Sequence, residues 1–125
     1  MSKRKMSRFR LKKGEILVKQ GGIDYAPAGT FAHSMMGYAY LTNERLHFDS
    51  DGRSGYYLTF EIPIADIIEI GKTGIPVLTR SIVIITDEKR YRFNVFPIGG
   101  WLKKLHEVKR AYDEARAAAR RESIR

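Results

Sequence analysis

The chain contains no cysteine, which excludes disulfides and thiolate metal sites and agrees with a reducing compartment or one where disulfides go unused. Long hydrophobic runs are also missing. Nothing approaches the ~20 consecutive apolar residues of a membrane-crossing helix, and the basic opening MSKRKMSRFRLKKGE lacks the apolar segment of a secretory signal. A soluble, cytoplasmic protein is therefore expected. Histidine is scarce: His33, His47 and His106 stand too far apart for HxxxH or HExxH spacing, so no metal site is predicted. There is no Gly-x-Ser-x-Gly elbow, and no thiol nucleophile exists. Gly71-Lys72-Thr73 imitates the end of a phosphate-binding loop, but the required earlier glycine is replaced by Asp66 and no helix follows. Gly99-Gly100, at the start of a helix, offers free N–H groups to an anion, although such glycines more often let a chain turn closely against its neighbours. A catalytic residue, a cofactor and a small-molecule substrate are all unsupported.

At 125 residues the chain has the size of one domain and can bury a sizeable core. Its net charge of +9 is unevenly placed. Lys3, Arg4, Lys5, Arg8, Arg10, Lys12 and Lys13 fill the first 13 residues with no acid among them; residues 14–97 are slightly acidic overall, and residues 98–125 are basic again. A body without excess cation does not resemble a sequence-specific nucleic-acid reader, whose folded face is lined with Lys and Arg. Its ends can still hold a polyanion.

The middle of the chain reads as strands. GYAYLTNERLHFDS, residues 37–50, contains two aromatic and aliphatic runs folded about Asn43-Glu44, the pattern of a hairpin. A lone hairpin is marginal, and further strands are available: residues 15–19 (EILVK), 56–62 (YYLTFEI), 66–72 (DIIEIGK), 80–86 (RSIVIIT) and 90–95 (RYRFNV). In the last of these Tyr91, Phe93 and Val95 alternate with Arg92 and Asn94, the period of a half-buried strand. Within the hairpin the same alternation puts His47 on an outer face, between Leu46 and Phe48. From Ile98 the period changes. Ile98, Trp101, Leu102, Leu105, Val108, Tyr112 and Ala115 follow helical spacing, with Pro97 just before them. A helix over about 98–119 is predicted, with a frayed tail at 120–125. Trp101, Leu102 and Leu105 are expected to plug the core, and His106 falls on the helix's polar side.

The fold class that results is mainly β (α+β): a seven-stranded antiparallel barrel or sandwich, partly open and capped by a C-terminal helix. The early Gly14-Glu15, the Gly-x-x-Tyr-x-Thr-Asn-x-Arg-x-x-Phe hairpin, the Ile62-Pro63-Ile64 followed by an Ile-rich strand, and the Trp opening the last helix together resemble the GRAM domain, a branch of the pleckstrin-homology-like (PH-like) superfold. The resemblance spans residues 14–112. It implies a non-catalytic module that attaches to membrane lipid headgroups or contacts proteins.

Two candidate surfaces follow. One is the basic arm, residues 1–13, read as a flexible tail on which Phe9 and Leu11 begin to dock. Near an anionic leaflet each cation contributes about 1 kcal/mol, so seven reach at most ~7 kcal/mol. If half of that survives, the affinity is roughly millimolar, and oligomerisation or an apolar anchor is needed as well. The other is the loop after the first strand. PH-like modules that grip phosphoinositides converge cations on their first inter-strand loop, but residues 20–31 hold no Lys or Arg and carry Asp24. The loop instead offers Ile23, Tyr25, Phe31, Met35 and Met36, which either enter an apolar interface or fold back onto the barrel. The partner expected is an anionic membrane surface. The alternatives are a protein partner, including a second copy of this chain, and non-specific, salt-sensitive nucleic-acid binding through the arm.

Overall fold

The computed structural model describes residues 9–27, 34–52, 57–73, 81–95 and 97–124. Seven antiparallel strands form one sheet: β1 (Leu17–Tyr25), β2 (Met35–Thr42), β3 (Arg45–Ser50), β4 (Thr59–Pro63), β5 (Ile67–Thr73), β6 (Ser81–Thr86) and β7 (Arg90–Asn94). A 3-10 helix, Ile64–Asp66, links β4 to β5, and one α-helix, α1 (Gly99–Ile124), ends the chain. The order across the sheet is β4-β3-β2-β1-β7-β6-β5, so β1 joins two halves. β1 pairs with β2 along nearly its whole length but with β7 only at Asp24 and Tyr25. β4 and β5 form the two edges and do not pair, which leaves the curled sheet open between them.

The hairpin about Asn43-Glu44 is tight: Tyr40 faces His47 and Leu41 faces Leu46. Thr42 fixes the turn by accepting the N–H groups of Glu44 and Arg45 on its hydroxyl, both at 3.0 Å. Alternation along β3 sends Leu46 and Phe48 into the core. Around Tyr25 the core is aromatic, with ring centroids at 4.8 Å from Phe60, 5.4 Å from Phe93 and 5.8 Å from Phe48.

α1 packs on β1, β5 and the 3-10 helix, beside the opening. Trp101, Leu105 and Val108 are its buried residues, with Leu102 and Tyr112 packed partly buried against the same cluster. Gly21 of β1 lies beside the indole: a Cβ there would sit 3.7 Å from Trp101 Cζ2, an ordinary contact distance. The Lys19 ammonium stands 5.3 Å from the indole centroid.

Two expectations need correction, and a third falls outside the described residues. β1 does not stop at residue 19 but continues to Tyr25, because Gly21 and Gly22 are ladder residues opposite Ala39 and Tyr38. α1 begins at Gly99 and runs through the expected frayed tail to Ile124, as suits a segment rich in Ala and Arg, both good helix formers. Tyr56 and Arg80, expected to open their strands, lie outside the described residues.

Candidate functional site

The side of β3 opposite Leu46 and Phe48 carries Arg45, His47 and Asp49, as the period of two requires. Outward-facing polar residues are ordinarily wet; these are covered by the root of the basic arm. Phe9 lies flat on Tyr40, with ring centroids 4.4 Å apart and planes 2° from parallel. The same ring sits 5.2 Å from the His47 ring and 4.8 Å beneath the Arg45 guanidinium. His47 therefore lies on the outer face that alternation predicts for it, yet is only 3 % exposed.

Arg45 is the hub. Its Nε donates to Glu15 Oε2 at 2.7 Å and its Nη2 to Glu15 Oε1 at 2.9 Å. Nη2 also donates to the Arg10 carbonyl at 2.6 Å, and Nη1 pairs with Glu61. The Thr42 hydroxyl donates to Glu15 Oε2 at 2.6 Å, and the Lys12 N–H donates to Oε1 at 2.8 Å. This convergence holds the Glu15 carboxyl at about 2 against an ordinary 4.5: the Arg45 hydrogen bond is the largest cause, and it outweighs the penalty of burial. Burial also works against the charged form of Glu61, but hydrogen bonding from His47 and the charge of Arg45 prevail, and its pKa is lowered too. His47 bridges two carboxylates, with Nδ1 2.9 Å from Glu61 and Nε2 2.8 Å from Asp49. Among the described residues no buried side-chain nitrogen or oxygen lacks a partner, the condition under which such a network is tolerated in a protein interior.

The network fixes a turn. Glu15 N–H donates to the Lys12 carbonyl at 3.0 Å, and Gly14 takes φ +83°, a conformation glycine adopts without strain. Beyond the turn, Ile16 exchanges two hydrogen bonds with Asn43 at the hairpin tip: its N–H donates to Oδ1 at 2.8 Å, and its carbonyl accepts the Asn43 N–H at 3.1 Å. Arg10, Lys12 and Lys13 are left exposed on this ordered root. The expected flexible arm thus has a seated base at residues 9–13. Phe9 docks and Leu11, at 49 % exposed, does not. Lys3, Arg4, Lys5 and Arg8 lie outside the described residues.

The apolar candidates separate. Ile23 and Tyr25, read as either entering an interface or folding back onto the barrel, take the second course: they are 4 % and 2 % exposed and belong to the core, because the longer β1 carries them inward. Met35 is half-buried in β2 and Met36 is 43 % exposed. Phe31 lies outside the described residues. Trp101 and Leu105 are 4 % and 2 % exposed, in the core cluster.

Sequence reasoning missed the pairing of Glu15, Arg45, His47 and Glu61. One signal was present: His47 and Glu61 become cross-strand neighbours once β3 and β4 are registered through Phe48 and Phe60. Among the described residues no cluster of three or more His, Asp and Glu is arranged to hold a metal ion, and no helix is long and apolar enough to cross a membrane.

No family model matches the sequence, and no curated protein does. Solved structures do. The Vps36 N-terminal PH domain aligns over 86 % of this chain and 86 % of its own, with TM-score 0.62 and 12 % identity. The C-terminal domain of an unknown protein from Leishmania infantum aligns over 90 % and 88 %, with TM-score 0.55 and 17 % identity. The human RhoA complex with the DH/PH fragment of PDZRHOGEF aligns over 78 % of this chain and 29 % of that one, with TM-score 0.61 and 12 % identity. At such identities the likeness establishes the fold, which is PH-like.

Proposed function

We propose that this chain is a non-catalytic PH-like module, of GRAM type, that associates peripherally with anionic membrane surfaces on the cytoplasmic side through its basic arm. PH-like domains are generally binding modules without catalytic activity, and solved neighbours of this chain are PH domains. The carrying observation is the seating of the arm: Phe9 and Glu15 are locked to the barrel by Tyr40 and Arg45, while Lys12 and Lys13 stay exposed. An arm pinned at its root keeps Arg10, Lys12 and Lys13 at one side of the barrel, and the ordering needed before they meet a charged surface is reduced.

The test is vesicle co-sedimentation with phosphatidylserine–phosphatidylcholine and with phosphatidylcholine alone, at low and high salt. It compares the native chain with a variant in which Lys3, Arg4, Lys5 and Arg8 become Gln, leaving Phe9 in place. Binding confined to the anionic vesicles, weakened by salt and by the variant, supports the reading. Binding that ignores lipid charge and salt, or no binding, defeats it. Salt-sensitive binding of the native chain to duplex nucleic acid, with no vesicle binding, assigns the arm to nucleic acid instead.

Self-assembly is the second reading. Ile68, on edge strand β5, is 59 % exposed, and an apolar edge strand is a template for pairing with another chain. The RhoA complex shows a chain with the same fold present in a protein assembly. Sizing chromatography of the native chain and of Ile68→Lys distinguishes this alternative.

A further inference from the structure

Scattered exposed apolar side chains are ordinary, but two of those here flank one turn. Leu11 is 49 % exposed and Ile16 is 63 % exposed, on either side of the turn closed between Lys12 and Glu15. Between them Lys12 and Lys13 are exposed, whereas the one acid of the turn, Glu15, is 7 % exposed and neutralised by Arg45. The nearest hairpin tip adds a single exposed carboxylate, Glu44. The geometry points to this turn, residues 11–16, as the wedge that enters the headgroup–acyl boundary of an anionic bilayer, with Leu11 and Ile16 immersed and Lys12 and Lys13 at the level of the phosphates.

Two further observations fit a lipid surface. The turn is held at both ends: Lys12 and Glu15 bond each other through backbone and side chain, and Ile16 is tied to Asn43. Immersion therefore orders nothing that is not already ordered. A basic arm alone also binds weakly, and a stable anchor needs a second, apolar contribution. The loop first considered for that role cannot supply it through Ile23 and Tyr25, which are in the core; Leu11 and Ile16 supply it from the arm's own root. This inference rests on the membrane reading of the arm and adds where, and by which groups, the surface is entered.

The test uses the full chain and the same vesicles. Leu11→Ser with Ile16→Ser alters exposed positions and should leave the thermal midpoint nearly unchanged, while partitioning to phosphatidylserine vesicles falls at least about tenfold. Residual binding of that variant should vanish at high salt. Glu44→Gln should tighten binding. As a direct readout, Leu11→Trp should shift to bluer emission on vesicle addition and be quenched by lipids brominated on the acyl chain, with Trp101 contributing little because it is buried. Undiminished binding of the double Ser variant, or a Leu11→Trp signal indifferent to brominated lipid, overturns the wedge while leaving electrostatic attachment of the arm intact. Failure of the native chain to bind anionic vesicles overturns both. A dimer of the native chain that the double Ser variant breaks, without vesicle binding, makes the turn an interface between copies and also overturns the wedge.

Discussion

Arg45 and Glu15, 30 residues apart in sequence, meet in a two-point ion pair buried between the β2–β3 hairpin and the root of the arm, with N–O distances of 2.7 and 2.9 Å. The contact lies outside the hydrophobic core yet is as shielded from water as the core, because Phe9 covers it.

Arg45→Met strands the buried Glu15 carboxylate and should cost about 3–5 kcal/mol, whereas Glu15→Leu should cost less because Arg45 keeps its pairing with Glu61. The double variant should cost clearly less than the sum, since neither charge remains. Arg45→Lys should not rescue, because an ammonium cannot reproduce the two-point geometry. Urea unfolding of the four proteins at neutral pH checks this.

Acid should weaken the fold in a defined window. Glu15 is held at about 2 in the folded chain against an ordinary 4.5. Its stabilisation is therefore complete above the unfolded value and is lost as pH falls through the folded one, an effect of roughly 3 kcal/mol between about pH 5 and pH 2. Glu61, also lowered, acts in the same direction. The urea midpoint should fall below about pH 5. In Glu15→Gln the neutral-pH midpoint should be lower and the acid slope shallower.

Phe9→Ala removes the ring stacked on Tyr40 and lying under Arg45, a loss of about 1–2 kcal/mol. The diagnostic readout is local. Tryptic cleavage after Lys12 and Lys13 should accelerate far more than global unfolding, because the turn loses its cover while the barrel core is untouched.

Gly37→Ala should destabilise by about 1–3 kcal/mol. A Cβ on this β2 glycine would collide with the backbone carbonyl of Asp49 and with the ring of Phe48, neither of which can move without disturbing the ladder. Gly71, on edge strand β5, has open space around its Cβ position, so Gly71→Ala is the matched control with little loss. Thermal unfolding of the two variants side by side decides it.

Period and punctuation made most of the architecture legible. The two-residue turn at Asn43-Glu44, the alternation of Tyr91 and Phe93, and the three-and-four spacing from Trp101 to Tyr112 are local properties, and local sterics and solvent preference suffice to read them. Gly21-Gly22 reads as a break after residue 19, because paired glycines commonly punctuate a turn. Only the pairing of β1 with β2 shows that the strand runs on through them, and with it that Ile23 and Tyr25 are carried into the core.

The amino-acid order by itself determined the strand count, the capping helix and the confinement of cationic surplus to the ends, since each follows from neighbouring residues and from summation along the chain. Only the tertiary structure decided that the arm has a seated root, that Arg45 and His47 are buried on the nominally outer face of the sheet, and that Leu11 and Ile16 are the apolar groups left beside the lysines. Burial on an outer face depends on what returns to cover it. Phe9 meets Tyr40 across 31 residues of chain, a contact that no pattern within either segment specifies.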